Sequence, residues 1–355
     1  TLIHLDPKAI SVLNLPSKPP CSSLFPTTQF GDPVIVTVTP NPSIDTTFSL
    51  NEPLRVGEVM RLKSSTSVAG GKGVNVSHAI HKAGKKTAAI FPAIEADPFL
   101  ALLEEVAIPA VPTPTNAPVR VNTAVVDPQG VTTKLNGSGG ELSTENKKAL
   151  EDTLLDQAKD GNWVVMAGSL PPGAPTNWYV ELTQLLREHC PGVRIAVDTS
   201  DQPLTDVAAA LDGVQPDLMT PNSMELGQIL GIDGIALEKE AQSGNYDPVV
   251  QATVDFVNRG VPMALITLGP AGAILASTDG VWLATTEKVD AVSTVGAGDC
   301  TLAGFILGLT DALSLADALA LGVAYGTTAV TLPGTTIPTP EMVEKISVDV
   351  RKFQS

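Results

Sequence analysis

From residue 34 onward the chain alternates short apolar runs with amphipathic stretches, and this rhythm constrains the fold more than any other feature. "VIVTVT" (34–39), "TAAIF" (87–91), "WVVMAG" (163–168), "VRIAVD" (193–198), "DLMT" (217–220) and "ALITL" (264–268) read as buried strands. Helical patterns occupy residues 72–83, 97–107, 176–189, 202–211, 222–230 and 248–259. Strands this continuously apolar have no wet face. They predict an α/β fold of three layers, a mostly parallel central sheet with helices on both faces.

Two regions break the rhythm. Residues of about 46–68 and 112–137 alternate apolar with polar, and "DPQG" (127–130) supplies a hairpin turn. They predict a small antiparallel β lid with one wet face, inserted into a single domain of residues 31–352. Residues 1–30, with Pro16, Pro19, Pro20 and Pro26, read as a Pro-rich N-terminal arm.

A formal net charge of −16 argues against nucleic acid or an anionic membrane as partner, and any small anion would need a local basic cluster. At 43% hydrophobic and 17% charged residues, a folded globular chain is expected and a disordered one is not. Cys21, Cys190 and Cys300 are odd in number and show no CxxC spacing, which suits a reduced setting. The amino end lacks a basic region followed by an apolar run, and no apolar stretch reaches membrane-spanning length. A cytoplasmic location is the expectation.

In open α/β sheets, ligands sit beyond the carboxyl ends of the strands. "TPNPSID" (39–45), "AGSLPPG" (167–173), "TPNSMEL" (220–226) and "TLGPAG" (267–272) all fall at such ends, and "AGGKGVN" (69–75) joins the lid to a helix. In "VSTVGAGDC" (292–300) a glycine turn feeds a helix. Its unpaired N–H groups and the helix dipole make an anion hole, which Gly296 and Gly298 leave open by lacking a Cβ. Asp299 beside such a hole suits phosphoryl transfer, taking the proton of an acceptor hydroxyl. It could equally be a helix cap.

Each of the other segments also has a plain reading. "AGGKGVN" matches neither the Walker A nor the dinucleotide pattern and could be a flexible turn with a surface lysine. "NSME" reads as a capping box. "TLGPAG" reads as a hairpin turn between "ALITL" and "AILAS", and Lys134 in "TTKLN" as a solvated strand residue. His78 and His81 share a helix face without a third ligand, so no metal site is expected there.

Taken together, "TPNPSID", "GGKGVN", "RVN", "AGSLPPG", "NSME", "TLGPAG" and "VGAGD" resemble, in order, the motifs of ribokinase-like (PfkB-type) carbohydrate kinases. The resemblance covers residues 33 to about 340 and looks closest to the 1-phosphofructokinase branch. It implies an alcohol-acceptor phosphotransferase that uses ATP and Mg²⁺, with a monovalent cation as a further option. The implied reaction converts fructose 1-phosphate to fructose 1,6-bisphosphate. Fructose 6-phosphate or tagatose 6-phosphate are alternative substrates, and a non-catalytic sugar-phosphate sensor is a further alternative.

By the same resemblance, Asp299 is the proton acceptor and Gly296, Ala297 and Gly298 form the anion hole. Asp45, Gly70, Gly71 and Asn75 hold the sugar, while Lys72, Arg120, Lys134 and Ser169 answer its phosphate. Asn222, Glu225, Thr267, Gly269 and Gly272 line the nucleotide, with Glu225 organising Mg²⁺ through water. A homodimer through the lid is among the implied assemblies. Val119, His78 and Cys300 depart from the family's usual residues, the first two near the implied sugar-phosphate site.

Overall fold

The computed structural model describes residues 34–353; the N-terminal arm and Cys21 lie outside them. The chain runs through β1 (Val34–Val38), β2 (Ser43–Leu50), β3 (Leu62–Gly70), α1 (Lys72–Lys82), β4 (Lys86–Pro92) and α2 (Pro98–Glu105). Next come β5 (Ala110–Thr113), β6 (Arg120–Val126), β7 (Thr132–Asn136), α3 (Thr144–Ala158), β8 (Gly161–Ala167), α4 (Trp178–His189) and β9 (Arg194–Asp198). Then follow α5 (Asp201–Ala209), β10 (Leu218–Met219), α6 (Ser223–Leu230), α7 (Gly234–Gln242), α8 (Asp247–Asn258) and β11 (Met263–Thr267). The chain closes with β12 (Ala273–Ser277), β13 (Gly280–Thr286), α9 (Ala297–Thr310), α10 (Leu315–Val330), α11 (Pro340–Val343) and β14 (Val348–Phe353).

Ten strands form the central sheet, in the order β14-β13-β12-β11-β10-β9-β8-β1-β4-β5. Every pair from β11 to β5 is parallel, as the apolar runs require. The period of two divides the strands between two cores. On β8, Val164 and Met166 face a core shared with Trp178, Tyr179 and Phe256, while Trp163, Val165 and Ala167 face one under α9 and α10 with Phe305 and Tyr325. Helices therefore cover both faces.

Three strands extend the sheet beyond the parallel part. β12, β13 and β14 pair antiparallel outward from β11. "TLGPAG" is thus the β11–β12 hairpin turn, with a single 3₁₀ turn at Gly269–Ala271.

The lid is a four-stranded sheet in the order β3-β2-β6-β7. β2–β3 and β6–β7 are antiparallel hairpins, the second closed by Asp127, which accepts from the N–H of Gln129 and Val131. Its central pair, β2–β6, runs parallel, because residues 71–119 return through the main sheet between them. The lid is also shorter than residues 112–137. β5, at 110–113, pairs parallel with β4 and belongs to the central sheet.

Candidate active site

Three helices begin at one spot, and three strands end there. Lys72 opens α1, Asn222 and Glu225 open α6, and Gly298 lies in the first turn of α9. Asp198, Thr220 and Thr267 stand at the carboxyl ends of β9, β10 and β11. All seven line one cavity of about 90 Å³, with Leu265 and Leu302. Three helix N-termini aimed at a common volume form a strong anion cradle.

Asp299 sits in the first turn of α9 and is 5% exposed. Both hydrogen bonds of its carboxylate go to α1: Asn75 Nδ2 donates to Oδ2 at 2.8 Å and Lys72 Nζ to Oδ1 at 3.3 Å. The helix cap is Gly296 instead, in the left-handed region at φ 78°, where a side chain would be strained. Outside its own helix backbone, no heavy atom lies within 4 Å of where a Cβ on Gly298 would stand, so the first turn of α9 is unobstructed there. A base beside an unobstructed anion cradle can deprotonate a hydroxyl while charge builds on a phosphoryl group.

Lys72 Nζ also donates to both oxygens of Asp198, at 3.0 and 3.2 Å. Burial pulls the Lys72 ammonium down, but Asp198, Asp299 and Glu225 outweigh it and hold the group above the ordinary lysine value. Burial pushes the Asp198 carboxyl up against the pull of Lys72, with Asp299 adding to the rise. Burial raises Glu225 as well, opposed by the N–H of Asn222.

Asp198, which lines this cavity and bonds Lys72, is a site residue that sequence reasoning missed. Its signal was an acid closing the apolar run "VRIAVD", at the strand end where ligands gather.

On the lid side, Asp45 of β2 reaches over the end of β3. A Cβ on Gly70 would collide with its Oδ2, so only glycine lets the carboxylate close there. Ser43 Oγ donates to Asp45 Oδ1 at 2.7 Å and Asn122 Nδ2 donates to the same oxygen at 3.0 Å. Burial raises Asp45, and those two hydrogen bonds together with Arg120 oppose it.

Arg120 bridges lid and body. Its guanidinium donates to the carbonyls of Gly137 and Asn41 and to Ser169 Oγ, each at 3.1 Å. Asn41 in turn donates to the carbonyls of Ser138 and Leu170.

Asn222 and Glu225 form a full capping box: the Asn222 side chain accepts from the N–H of Glu225, and Glu225 Oε2 accepts from the N–H of Asn222. Both still line the cavity, so capping and ligand binding are compatible. Two carboxylates (Asp198 and Glu225) line the cavity with one ammonium, Asp299 bonds that ammonium from beside it, and the cavity's other polar side chains are an amide and two hydroxyls. An oxygen-rich site with excess negative charge fits Mg²⁺ carried by nucleotide phosphates. Among the described residues no three His, Cys, Asp or Glu side chains form a metal cage, so phosphate oxygens and water would complete the coordination.

Some expected residues stand apart. Lys134 lies exposed on edge strand β7, though on the lid face of Asp45 and Asn122, two positions from Asn136, which pairs with Asn122. Gly272 packs against the Ala284 carbonyl of β13, which accounts for its lack of a side chain. Gly269 lies beside Glu238, and Gly71 packs on Thr39.

Of the departures, Val119 is a core position and His78 is half-buried on α1. Val119 is buried with Phe91 and Phe99, its N–H held by Asp97. Burial lowers His78 to about 4, with Lys82 adding to the effect. Cys300 is buried behind Asp299.

Residues 39–342 match the model for "pfkB family carbohydrate kinase". The chain is 32% identical to the 1-phosphofructokinase of Haloferax volcanii, over 87% of this chain and 95% of that one. It is 28% identical to the 1-phosphofructokinase of Bacillus subtilis, over 90% and 99%. Among solved structures, phosphofructokinase-2 from Escherichia coli superposes with a TM-score of 0.78 at 28% identity, covering 88% of this chain and 97% of that one. It has been solved with substrates and products and, separately, with potassium. A buried carboxylate at a helix N-terminus beside a three-helix anion cradle, the family match and these relatives agree: the chain belongs to the pfkB family of carbohydrate kinases.

Proposed function

We propose that this sugar kinase transfers the terminal phosphoryl group of ATP to fructose 1-phosphate, making fructose 1,6-bisphosphate. The observation that carries the chemistry is Asp299, held by Asn75 and Lys72 beside the open first turn of α9. Asp299 takes the proton of the acceptor hydroxyl as that oxygen bonds to phosphorus, and the bond from phosphorus to the ADP oxygen breaks. The amides of Gly296, Ala297 and Gly298 hold the charge that develops on the moving group.

Asp45 accepts sugar hydroxyls, and Gly70 and Gly71 allow the ring to approach the backbone. Arg120, already fixed by three hydrogen bonds, answers the phosphate on the sugar with Ser169 and Lys134. Lys72 balances the carboxylates and the incoming phosphates. Asn222, Glu225, Thr267, Gly269 and Gly272 border the nucleotide, and Mg²⁺ bound with ATP would supply charge neutralisation at Glu225 through water. The name that several relatives share, 1-phosphofructokinase, supports fructose 1-phosphate over fructose 6-phosphate or tagatose 6-phosphate. An intact base argues against a non-catalytic sensor, which has no need of one.

Val121 and Leu135 are exposed on the lid face opposite Asp45, which supports a homodimer through the lid. Among the described residues no helix is long and apolar enough to cross a membrane. The deciding experiment is an ADP-release assay over fructose 1-phosphate, fructose 6-phosphate, tagatose 6-phosphate and unphosphorylated fructose, with and without K⁺. The highest kcat/KM is expected for fructose 1-phosphate. Equal turnover of free fructose would overturn the assignment to a sugar phosphate.

A further inference from the structure

Asn122 is the one polar residue of "RVN" to which the proposed chemistry gives no role, and its environment is unusual. It lies two residues after Arg120 on β6, so the period of two puts both on one face of the lid. Its register partner across the parallel β2–β6 pair is Asp45, and the two side chains meet through Asn122 Nδ2 and Asp45 Oδ1 at 3.0 Å. Ser43 Oγ donates to that same oxygen. Both neutral donors thus converge on Oδ1 and leave Oδ2, the oxygen above Gly70, free of either. The other end of the Asn122 amide is stranger. Its Oδ1 is buried and has no hydrogen-bond partner.

A buried acceptor without a donor is costly, and one that stands beside a ligand site can be completed by the ligand. Here it stands beside the carboxylate already assigned to sugar hydroxyls. We propose that Asn122 belongs to the sugar site in two ways: its amide nitrogen positions Asp45 with Oδ2 free for substrate, and its amide oxygen accepts a hydroxyl of the sugar. The assignment rests on the sugar-kinase reading above and adds to it a residue that helps decide which polyol pattern is accepted.

The pairing also carries a pH signature. The groups that act on Asp45 are Ser43 from its own strand, Asn122 and Arg120 from β6, and Asp299 from α9. Burial raises Asp45; Ser43, Asn122 and Arg120 oppose that rise, and Asp299 adds to it. Removing the Asn122 donor therefore raises Asp45 further, and the ionised form that accepts hydroxyls is lost at a higher pH.

The test is steady-state kinetics of full-length wild type, Asn122→Ala and Asn122→Asp, with fructose 1-phosphate and ATP varied in turn from pH 5 to 8. Asn122→Ala should raise KM for the sugar phosphate about 10-fold or more, as loss of hydrogen bonds to a charged group and to substrate implies. Its KM for ATP and its thermal midpoint should stay near wild type, and the acid limb of kcat/KM should move to higher pH. Asn122→Asp keeps the shape and sets two carboxylates side by side, so one must take up a proton. Its kcat/KM should improve as pH falls from 8, the opposite trend to wild type. Sugar KM within twofold of wild type in both active variants would overturn the role of Asn122. So would equal rises in both KM values with a lowered thermal midpoint, which describe a structural residue. If wild type phosphorylates none of the hexose phosphates, the sugar-kinase reading fails, and the Asn122 assignment falls with it.

Discussion

Asn75 donates its amide to Oδ2 of Asp299 at 2.8 Å, tying the first turn of α1 to the first turn of α9 across 224 positions of sequence. One turn earlier, Lys72 holds the other oxygen of the same carboxylate. The Asp299 carboxylate is thereby oriented by one neutral and one charged donor, both outside its own helix.

Asp299→Asn keeps the size of the side chain and removes the base. We expect kcat to fall by about 10²-fold or more, in line with general-base contributions, while thermal unfolding changes little. Near-wild-type turnover in this variant would reduce Asp299 to a helix-terminal residue.

Lys72→Met leaves Asp198, Asp299 and Glu225 without their shared cation. Lys72 keeps partial solvent access, so the loss should be about 2–4 kcal/mol, below that of breaking a wholly buried pair. Its sign with pH follows from the raised carboxyls. A raised Asp198 or Glu225 favours folding most when protonated, and that contribution disappears as pH rises through the raised value. Removing Lys72 lifts both further, so the deficit against wild type should be largest above pH 7 and shrink toward about pH 4. Urea melts across that range measure it; a deficit independent of pH would mean Lys72 acts through packing.

Arg120→Ala should raise KM for fructose 1-phosphate by an order of magnitude or more, since a charge-assisted hydrogen bond contributes about 1.5–3 kcal/mol. KM for ATP should change much less. Arg120→Lys should not restore the sugar KM, because one ammonium cannot span Gly137, Asn41 and Ser169 as the planar fork does. Equal effects on both KM values would remove Arg120 from the phosphate site.

Glu225→Gln separates the two roles of the capping box. The amide oxygen of Gln can still accept from the N–H of Asn222, so the change in stability should stay within about 1 kcal/mol. The Mg²⁺ concentration for half-maximal activity should rise about 10-fold, equivalent to about 1.4 kcal/mol. A lower melting temperature with an unaltered Mg²⁺ titration would leave Glu225 a cap alone.

The parallel sheet was legible because a strand buried on both faces must be apolar almost throughout: "WVVMA" is apolar at every position and "VIVTV" at all but Thr37. The capping box at Asn222 and the "DPQG" hairpin were legible for a different reason: their hydrogen bonds close within a few residues. α10 was harder to see. Val323, Tyr325 and Ala329 are buried against α9, and a helix apolar on most sides shows no stripe.

Much of the site could not be read locally at all. Lys72 meets Asp198 at a separation of 126 residues and Asp299 at 227. No periodicity or turn chemistry reports on such a pair. "GGKGVN" and "VGAGD" each stated by themselves that a helix begins at a glycine turn. That both helices, with α6, begin at the same cavity was decided by the order of strands in the sheet. The lid shows the same division. Alternation predicted its hairpins, whereas the parallel β2–β6 pairing that sets Asn122 opposite Asp45 arises only because the chain returns through the central sheet between them. Local sequence determines elements whose hydrogen bonds close nearby; long-range packing brings their ends, and the charges they carry, to one place.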